Sequence, residues 1–441
     1  MLTILFILVS VAFLILTTTW LKLHPFLALI LTAFLFGTLS GLEPMIMLKT
    51  INEGFGKTIE GVGIVIIAGI IIGAFLENSG GAQALAKGIL RLIGSKRVHS
   101  AMGAMGFIVS IPVFADSGFI ILNSLQQALA KKAGVSAAGT AVALAMGLLA
   151  THTMVPPTPG PVAAAGILEA DLGLVIMFGL TTGIFALIPT IWFARRFGNS
   201  MELSRQDEPE SQESELETPS LGLSLLPIVI PILLIVLKSI AEYPTAPFGS
   251  GSFVQACSFV GHPIIALFVG ILFSMLLPKK LEKDMLSVNG WVGKALKEGT
   301  IVLLITGAGG AFGKVLQSAN IGAILEQQVG ASGMALGLAF LLSAGLKTAQ
   351  GSSTVALITT ASIMAPLMSV MGIESGVDKA LLVVAIGAGA PTISHANDSF
   401  FWVVTQMTGM NVKQGYQLHS LASAILGLTS LLIIGILSIV F

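Results

Sequence analysis

Apolar residues run along this chain in stretches long enough to cross a lipid bilayer, separated by shorter polar segments. A helix needs about 20 mostly apolar residues to span the hydrocarbon core. Ten stretches approach that length and predict an all-α polytopic membrane protein. These lie at about 2–20, 25–42, 61–80, 138–155, 172–194, 221–240, 258–277, 299–316, 379–393 and 420–441.

Two further apolar stretches, at about 100–130 and 333–366, are interrupted near their middles. The first is interrupted at 111–118 by Ile-Pro-Val-Phe-Ala-Asp-Ser-Gly, and the second at 346–354 by Leu-Lys-Thr-Ala-Gln-Gly-Ser-Ser-Thr. Each arm is too short to cross the bilayer comfortably, so both stretches are predicted to be re-entrant hairpins. The alternative is one kinked helix in each place.

Composition agrees with a membrane protein and excludes several other classes. Hydrophobic residues make up 54% of the 441-residue chain and charged residues only 10%, whereas soluble domains carry about 25% charged residues. The net charge is zero, so no overall field attracts nucleic acid. One cysteine excludes a disulfide framework, and we predict no cofactor and no metal site. The first twenty residues lack a basic start and a cleavage site, which predicts a retained transmembrane helix.

Charge distribution predicts the orientation and the boundary between two halves. Most Lys and Arg residues fall on one side of the predicted layout, which the positive-inside rule makes cytoplasmic. Both termini are then predicted to be extracytoplasmic. Residues 196–220 are acidic and polar, as expected of a cytoplasmic linker between a transmembrane repeat at 1–195 and a second at 221–441.

The two halves resemble each other in the order of their features. The segment His24-Pro25 followed by apolar residues recurs as His262-Pro263 at an offset of about 240. Each half contains five predicted spans and one hairpin, and an odd number of crossings inverts the second copy, as in many secondary transporters. The His-Pro pairs are predicted to mark helix starts rather than chemistry.

A helix that follows each hairpin is predicted to break inside the membrane. Residues 150–161 contain four prolines in six positions, and residues 387–399 contain a Gly-, Ser- and Asn-rich run ending at Asp398-Ser399. Irregular backbone at that depth requires protein or a water-filled cavity around it. Free helix N-termini there suit a carboxylate, and exposed carbonyls suit a cation.

Ionisable residues at these interruptions are the strongest functional candidates, because a charge in the membrane is costly unless it is paired or hydrated. Asp116 and Asp398 are predicted to couple transport to protons, with a structural hydrogen-bonding role as the alternative. Lys347 is predicted to hold a substrate carboxylate or to occupy the position of a coupling sodium ion; the alternative is a lysine paired with an acid. The predicted substrate-binding residues, mostly hydroxyl- or amide-bearing, are Ser117, Gly118, His152, Thr153, Lys347, Gly351, Ser352, Ser353, Thr354, Ser394, His395 and Asn397. Some of the hydroxyl groups are instead expected only to bond nearby carbonyls.

At these positions the chain resembles the gluconate permease family, the gluconate:proton symporters that include D-serine and glycerate-type carriers. The resemblance runs nearly end to end and is most specific at 156–161 (Pro-Pro-Thr-Pro-Gly-Pro) and 351–356 (Gly-Ser-Ser-Thr-Val-Ala). It implies a proton-coupled importer of sugar acids or small hydroxy acids in the bacterial inner membrane. It also implies distant kinship with the ion transporter superfamily, whose members use two hairpins.

Two departures from the family leave the substrate open. Gluconate carriers tend to have Arg where Lys347 stands and Ala where Ser353 stands, which changes geometry at the second hairpin. The leading hypothesis is proton symport of gluconate or a related hydroxy acid across the bilayer. The alternative is a sodium-coupled carboxylate or D-serine-like amino-acid symporter of the same fold. An enzyme or a passive channel is disfavoured, and whether the chain forms a homodimer is left open.

Overall fold

A computed structural model shows a chain that is helical over most of its described length. The structure describes residues 2–94, 97–199, 201, 218–243, 245, 247–249, 251–318 and 332–441. Within these ranges, only the backbone is described at residues 2–4 and 332–334.

Nine helices make up the first half of the described chain. They are α1 (Leu2–Thr19), α2 (Pro25–Leu39), α3 (Pro44–Asn78), α4 (Gly81–Ile93), α5 (Val98–Val109), α6 (Ala115–Ala133), α7 (Ala137–Met154), α8 (Pro159–Ile167) and α9 (Leu172–Gly198).

The second half repeats much of this order. Its helices are α10 (Leu221–Ala241), α11 (Ser252–Val260), α12 (Pro263–Ser274), α13 (Trp291–Ser318), α14 (Ser332–Gln350), α15 (Ser353–Met364), α16 (Gly376–Gly389), α17 (Ser399–Thr408) and α18 (Val412–Val440). Helix α18 contains a π-helical turn at Tyr416–Ser420. Short 3₁₀ turns lie at Lys283–Leu286 and Ala365–Leu367.

Six helical segments within the described ranges are long and apolar enough to cross a membrane, or seven if the bent pair α11–α12 is one span. The other predicted spans correspond to α1, α2 and α16, which have 18, 15 and 14 residues. The ten-span layout therefore stays a prediction.

Helix α3 is longer than its predicted span at 61–80, because it starts at Pro44 and runs for 35 residues. Its first turns carry the exposed residues Lys49, Glu53 and Lys57, and these charges interrupt the apolar pattern from which a span is predicted. The amphipathic α4 was not predicted, since its apolar stretch is too short to read as a span.

Four non-helical segments fall where the sequence predicted interruptions. We call residues 110–114, between α5 and α6, tip 1, and residues 351–352, between α14 and α15, tip 2. Residues 155–158, between α7 and α8, are break 1, and residues 390–398, between α16 and α17, are break 2. Prolines lacking an N–H explain break 1, and the Pro391 ring begins the irregular backbone of break 2. The predicted helix interruptions are present.

Both His-Pro pairs begin a helix, as predicted. His24 and His262 are the N-cap residues of α2 and α12, and the following proline occupies the first helical position in each. Proline is favoured there because its missing N–H would have no partner in the helix anyway.

Helices α7 and α8 form the centre of the molecule. In the 18-residue apolar stretch of this pair 94% of the residues are buried, against 28% in that of α18. Helix α7 is rich in Ala and Gly, and small residues allow backbones to approach closely. A Cβ at Gly147 would overlap the carbonyl oxygen of Gly103 on α5, so α5 and α7 pack backbone against backbone.

Contacts between the halves are reciprocal. Helix α6 packs against α17 and α15 packs against α8; helix α2 packs against α13 and α12 packs against α3. Helices α3 and α13 pack against each other. Each contact becomes the other when α2 is exchanged with α12, α3 with α13, α6 with α15 and α8 with α17. Most of the predicted linker at 196–220 lies outside the described residues.

Candidate functional site

A polar cavity of about 300 Å³ lies where tip 1, tip 2 and break 2 meet. Three helices, α6, α15 and α17, present their N-terminal residues to it. Helix N-termini carry partial positive charge and unpaired backbone N–H groups, so this arrangement favours an anion. The lining residues are Phe114, Ala115, Asp116, Leu149, His152, Gln350, Gly351, Ser352, Ser353, Thr354, Asn397, Asp398, Ser399 and Phe400.

Local sequence explains why two of these helices begin at the cavity. The Ser352 hydroxyl accepts a hydrogen bond from the Val355 N–H at 3.3 Å and caps α15. The Asp398 carboxylate caps α17 by accepting from the Phe400 N–H at 3.1 Å. Ser and Asp are favoured caps because their side chains satisfy N–H groups that the helix leaves unpaired. A helix start has further N–H groups without an intrahelical partner, and these can bond a ligand.

A buried ion pair joins tip 2 to break 2. The Lys347 ammonium nitrogen lies 2.6 Å from Asp398 Oδ2, with 2% and 4% of the two side chains exposed. The same ammonium donates to the Gly351 carbonyl oxygen at 2.7 Å. A charge so fully removed from water requires a close partner, and each of these two charges has one. Lys347 is thus paired with an acid, and that acid lies in the cavity wall.

A second chain of hydrogen bonds holds the other side of Asp398. The Ser394 hydroxyl donates to Asp398 Oδ2 at 2.5 Å and lies 3.0 Å from His419 Nε2. Because the hydroxyl has only one proton, the His419 Nε2–H donates to it when Asp398 is ionised. The Ser420 hydroxyl donates to the Ser394 carbonyl, and the Ser423 hydroxyl accepts from the Ser394 N–H. Break 2 is therefore fixed to the π-helical turn of α18.

A third contact clamps break 2 onto the end of α14. His395 Nε2 and the Asn397 amide both donate to the Thr348 carbonyl oxygen, at 3.0 and 2.7 Å. Gly351 has φ +82°, and a Cβ there would overlap the carbonyl of Asn397. Only glycine fits this position, because of both its left-handed backbone and the close approach.

Polar atoms on both the tip 1 side and the tip 2 side of the cavity are buried without a hydrogen-bond partner among the described residues. They are Asp116 Oδ1, His152 Nδ1 and both amide atoms of Gln350. Unpaired buried polar atoms are costly and mark sites where a ligand or a proton completes the bonding.

Several predicted site residues lie away from the cavity lining. The Ser117 hydroxyl lies near the Glu77 carboxyl, and Gly118 packs closely against the Leu148 side chain. Thr153 is fully buried, and its hydroxyl donates to the Leu149 carbonyl of its own helix.

Lys347, Ser394 and His395 also lie outside the lining; Lys347 and Ser394 contact it through Asp398, whereas His395 bonds the Thr348 carbonyl of α14. The predicted residues that the lining brings together are Asp116, His152, Gly351, Ser352, Ser353, Thr354, Asn397 and Asp398.

Sequence reasoning missed His419 and Gln350. His419 sits at the start of an apolar span, where a lone imidazole gives little signal without its spatial partner Ser394. Gln350 lies within the predicted interruption at 346–354, and the structure places it as the last residue of α14, next to tip 2. Its unpaired amide would have been the signal, and it is visible only in three dimensions.

Comparison with known proteins places this geometry in a family. A model described as "GntP family permease" matches residues 2–440. The chain belongs to the GntP permease family. It is therefore a membrane transporter and not an enzyme. A gluconate permease of Pseudomonas aeruginosa is 34% identical over 448 residues, covering 98% of this chain and 97% of that protein. The D-serine transporter DsdX of Escherichia coli is 31% identical, with 96% of each chain covered.

A solved structure supports the fold of this permease. The YdaH transporter of Alcanivorax borkumensis superposes with a TM-score of 0.69 at 13% identity, over 94% of this chain and 98% of that one. At that identity the likeness concerns the fold alone. The family and the apolar helices make this permease a multi-pass inner-membrane protein.

Proposed function

We propose that this permease imports gluconate or a related small hydroxy acid by proton symport, with the anion bound in the polar cavity. The observation that carries the proposal is the meeting of three helix N-termini around a cavity whose wall contains Asp116, one carboxyl oxygen of which, Oδ1, has no partner among the described residues.

The charges around the cavity support the binding of an anion. The Lys347–Asp398 pair is neutral as a unit, so when Asp116 is protonated the remaining field at the cavity comes from the positive ends of α6, α15 and α17. A carboxylate can accept from the backbone N–H groups of the first turn of α15, next to Ser353 and Thr354. Relatives named for gluconate and for D-serine both carry substrates with a carboxylate and a hydroxyl group.

The proton is supported by the position of Asp116. An ionised carboxylate in the first turn of α6 would repel an anion in the same cavity, whereas a protonated one would not and could donate a hydrogen bond. Protonation of Asp116 and substrate binding are then mutually favourable, which is the condition for symport.

Sodium coupling is disfavoured at this position. The Lys347 ammonium already occupies the space between the Asp398 carboxylate and the Gly351 carbonyl, two oxygen ligands that a hard cation would use. A fixed internal cation there leaves the proton as the mobile coupling charge.

Uptake of labelled gluconate, glycerate and D-serine by proteoliposomes tests the proposal. We expect an inwardly directed proton gradient, without sodium, to drive accumulation of a hydroxy acid above its external concentration. Accumulation that follows a sodium gradient at constant pH would favour the alternative, and the absence of accumulation under either gradient would reject both.

We also infer that the halves are inverted copies, that tips 1 and 2 are re-entrant hairpins, and that both termini are extracytoplasmic. The reciprocal helix packing and the Lys/Arg bias support this layout. Cys257 is the chain's single cysteine and is buried, so a Cys257→Ser background gives a clean labelling test. A cysteine added after Phe441 should react with an impermeant maleimide in intact cells, whereas Lys132→Cys should not.

A further inference from the structure

Gln350 is the last residue of α14 and part of the cavity wall. Its amide nitrogen and amide oxygen are both buried, and neither has a hydrogen-bond partner among the described residues. Leaving a buried amide unpaired costs free energy, so a protein retains one where a ligand pairs with it. The other unpaired atoms at the cavity, Asp116 Oδ1 and His152 Nδ1, come from the opposite half of the chain.

The chemistry of a carboxamide limits what it can bind there. It is uncharged, so it does not compete with the helix N-termini for the carboxylate of an acid. It both donates and accepts, which matches a hydroxyl group, itself a donor and an acceptor. Its position next to tip 2, two residues before the N-cap Ser352, puts it beside the carbon atoms that adjoin a carboxylate bound at the start of α15.

We propose that Gln350 is a specificity-determining residue that hydrogen-bonds a hydroxyl group of the substrate and so selects hydroxylated acids over unsubstituted ones. This rests on the proposed function, since it assumes that a carboxylate occupies the cavity. An acid without a hydroxyl leaves the amide unpaired, and sites built to bond a hydroxyl reject analogues that lack it.

The test is competition binding to the purified, detergent-solubilised permease at fixed pH, where no gradient is present and coupling plays no part. Labelled gluconate is displaced by three-carbon acids that differ only in hydroxyl groups: glycerate, lactate and propionate. Gln350→Met keeps the length of the side chain and removes its hydrogen bonds. Gln406→Met on exposed α17 surface is the matched control, because Gln406 lies outside the cavity lining.

We expect the wild type and Gln406→Met to prefer lactate and glycerate over propionate. In Gln350→Met the affinity for both hydroxy acids should fall roughly tenfold while that for propionate changes little. Gln350→Glu, a second variant with near-native shape, should weaken all three acids because of its added charge.

Equal weakening of all three acids by Gln350→Met would show a structural role and overturn the assignment, as would unchanged discrimination. Either result leaves proton symport intact, since symport is tested separately by gradient-driven uptake in the wild type. A wild type that binds none of the acids would overturn both proposals.

Discussion

The interruptions in the first and second halves of the chain differ in how completely their polar groups are paired. Break 2 and tip 2 form a closed set of bonds in which Lys347, Asp398 and Ser394 satisfy one another. Break 1 is an apolar proline segment, and the polar groups near it, Asp116 and His152, keep unpaired atoms at the cavity. The two sides of the cavity therefore differ in how completely their polar groups are paired.

This division suggests different roles. The second half supplies a fixed, internally neutral frame whose geometry holds the helix N-termini in place. The first half, with Gln350 of the second, supplies cavity groups whose bonding can be completed by a proton or a substrate. Substitutions in the frame should damage folding and transport together, whereas substitutions of these unpaired groups should damage transport alone.

The largest effect is expected from separating the buried ion pair. Lys347→Met leaves the Asp398 carboxylate unpaired, and removing one partner of a buried pair costs roughly 3–5 kcal/mol. Thermal denaturation in detergent should show a strong loss of stability together with loss of uptake. Lys413→Met, on exposed surface, is the control and should melt like the wild type.

A double variant sharpens this result. Lys347→Met combined with Asp398→Asn removes both charges and should recover much of the stability without recovering substrate binding. A double variant that transports normally would remove the pair from the site.

The next effect is expected at Asp116, and it should separate function from folding. Asp116→Asn keeps the shape and removes the titratable group, so gradient-driven uptake should fall roughly 100-fold with little change in melting temperature. Asp284→Asn on exposed surface is the matched control. Equal losses in stability and uptake would mean that Asp116 belongs to the frame, and the contrast between the halves would fail.

A smaller effect is expected at His419. Its Nε2 bonds Ser394 inside the frame, so His419→Phe should lower stability by about 1–2 kcal/mol and reduce uptake in proportion to the folded protein lost. Purified, folded His419→Phe that binds gluconate normally would support a positioning role. Loss of proton coupling with normal stability would instead make His419 a member of the proton path.

The smallest effect is expected away from the tips and breaks, at the ion pair between Lys57 and Glu169. Lys57 donates to the Glu169 carboxylate at 3.1 Å, and its hydrogen bond and charge lower the pKa of that carboxyl. The contribution is therefore present above the ordinary carboxyl pKa and is lost as the pH falls through the lowered value. Both side chains are largely exposed, so Lys57→Met should change stability by no more than about 1 kcal/mol. Melting temperatures of the wild type and of Lys57→Met, measured from pH 7 to pH 4, check this small effect. A much larger destabilisation would show that an exposed ion pair contributes as much as the buried Lys347–Asp398 pair.

The interruptions could be predicted from the sequence because proline, glycine and charged residues break apolar helices wherever they occur. Asp116, Lys347 and Asp398 were identified for the same reason, since charge inside an apolar segment is a local signal. An acid partner for Lys347 was among the alternatives, but which acid was not predictable: Lys347 and Asp398 are far apart in the chain, and only the fold brings them within 2.6 Å. His419 and Gln350 were missed because an isolated imidazole or amide gives no local pattern. Ser117 and Thr153 were predicted to bind substrate but lie outside the cavity lining, because a hydroxyl suits a ligand and a neighbouring carbonyl equally well.

The most direct test of the central claim is the movement of protons that accompanies the substrate. Adding gluconate, or whichever hydroxy acid is transported, to proteoliposomes containing the wild type should make the weakly buffered outer medium more alkaline as protons enter with it. Asp116→Asn should abolish this pH change while still exchanging labelled for unlabelled substrate. Substrate uptake by the wild type without any pH change, or an unchanged proton signal in Asp116→Asn, would contradict the account.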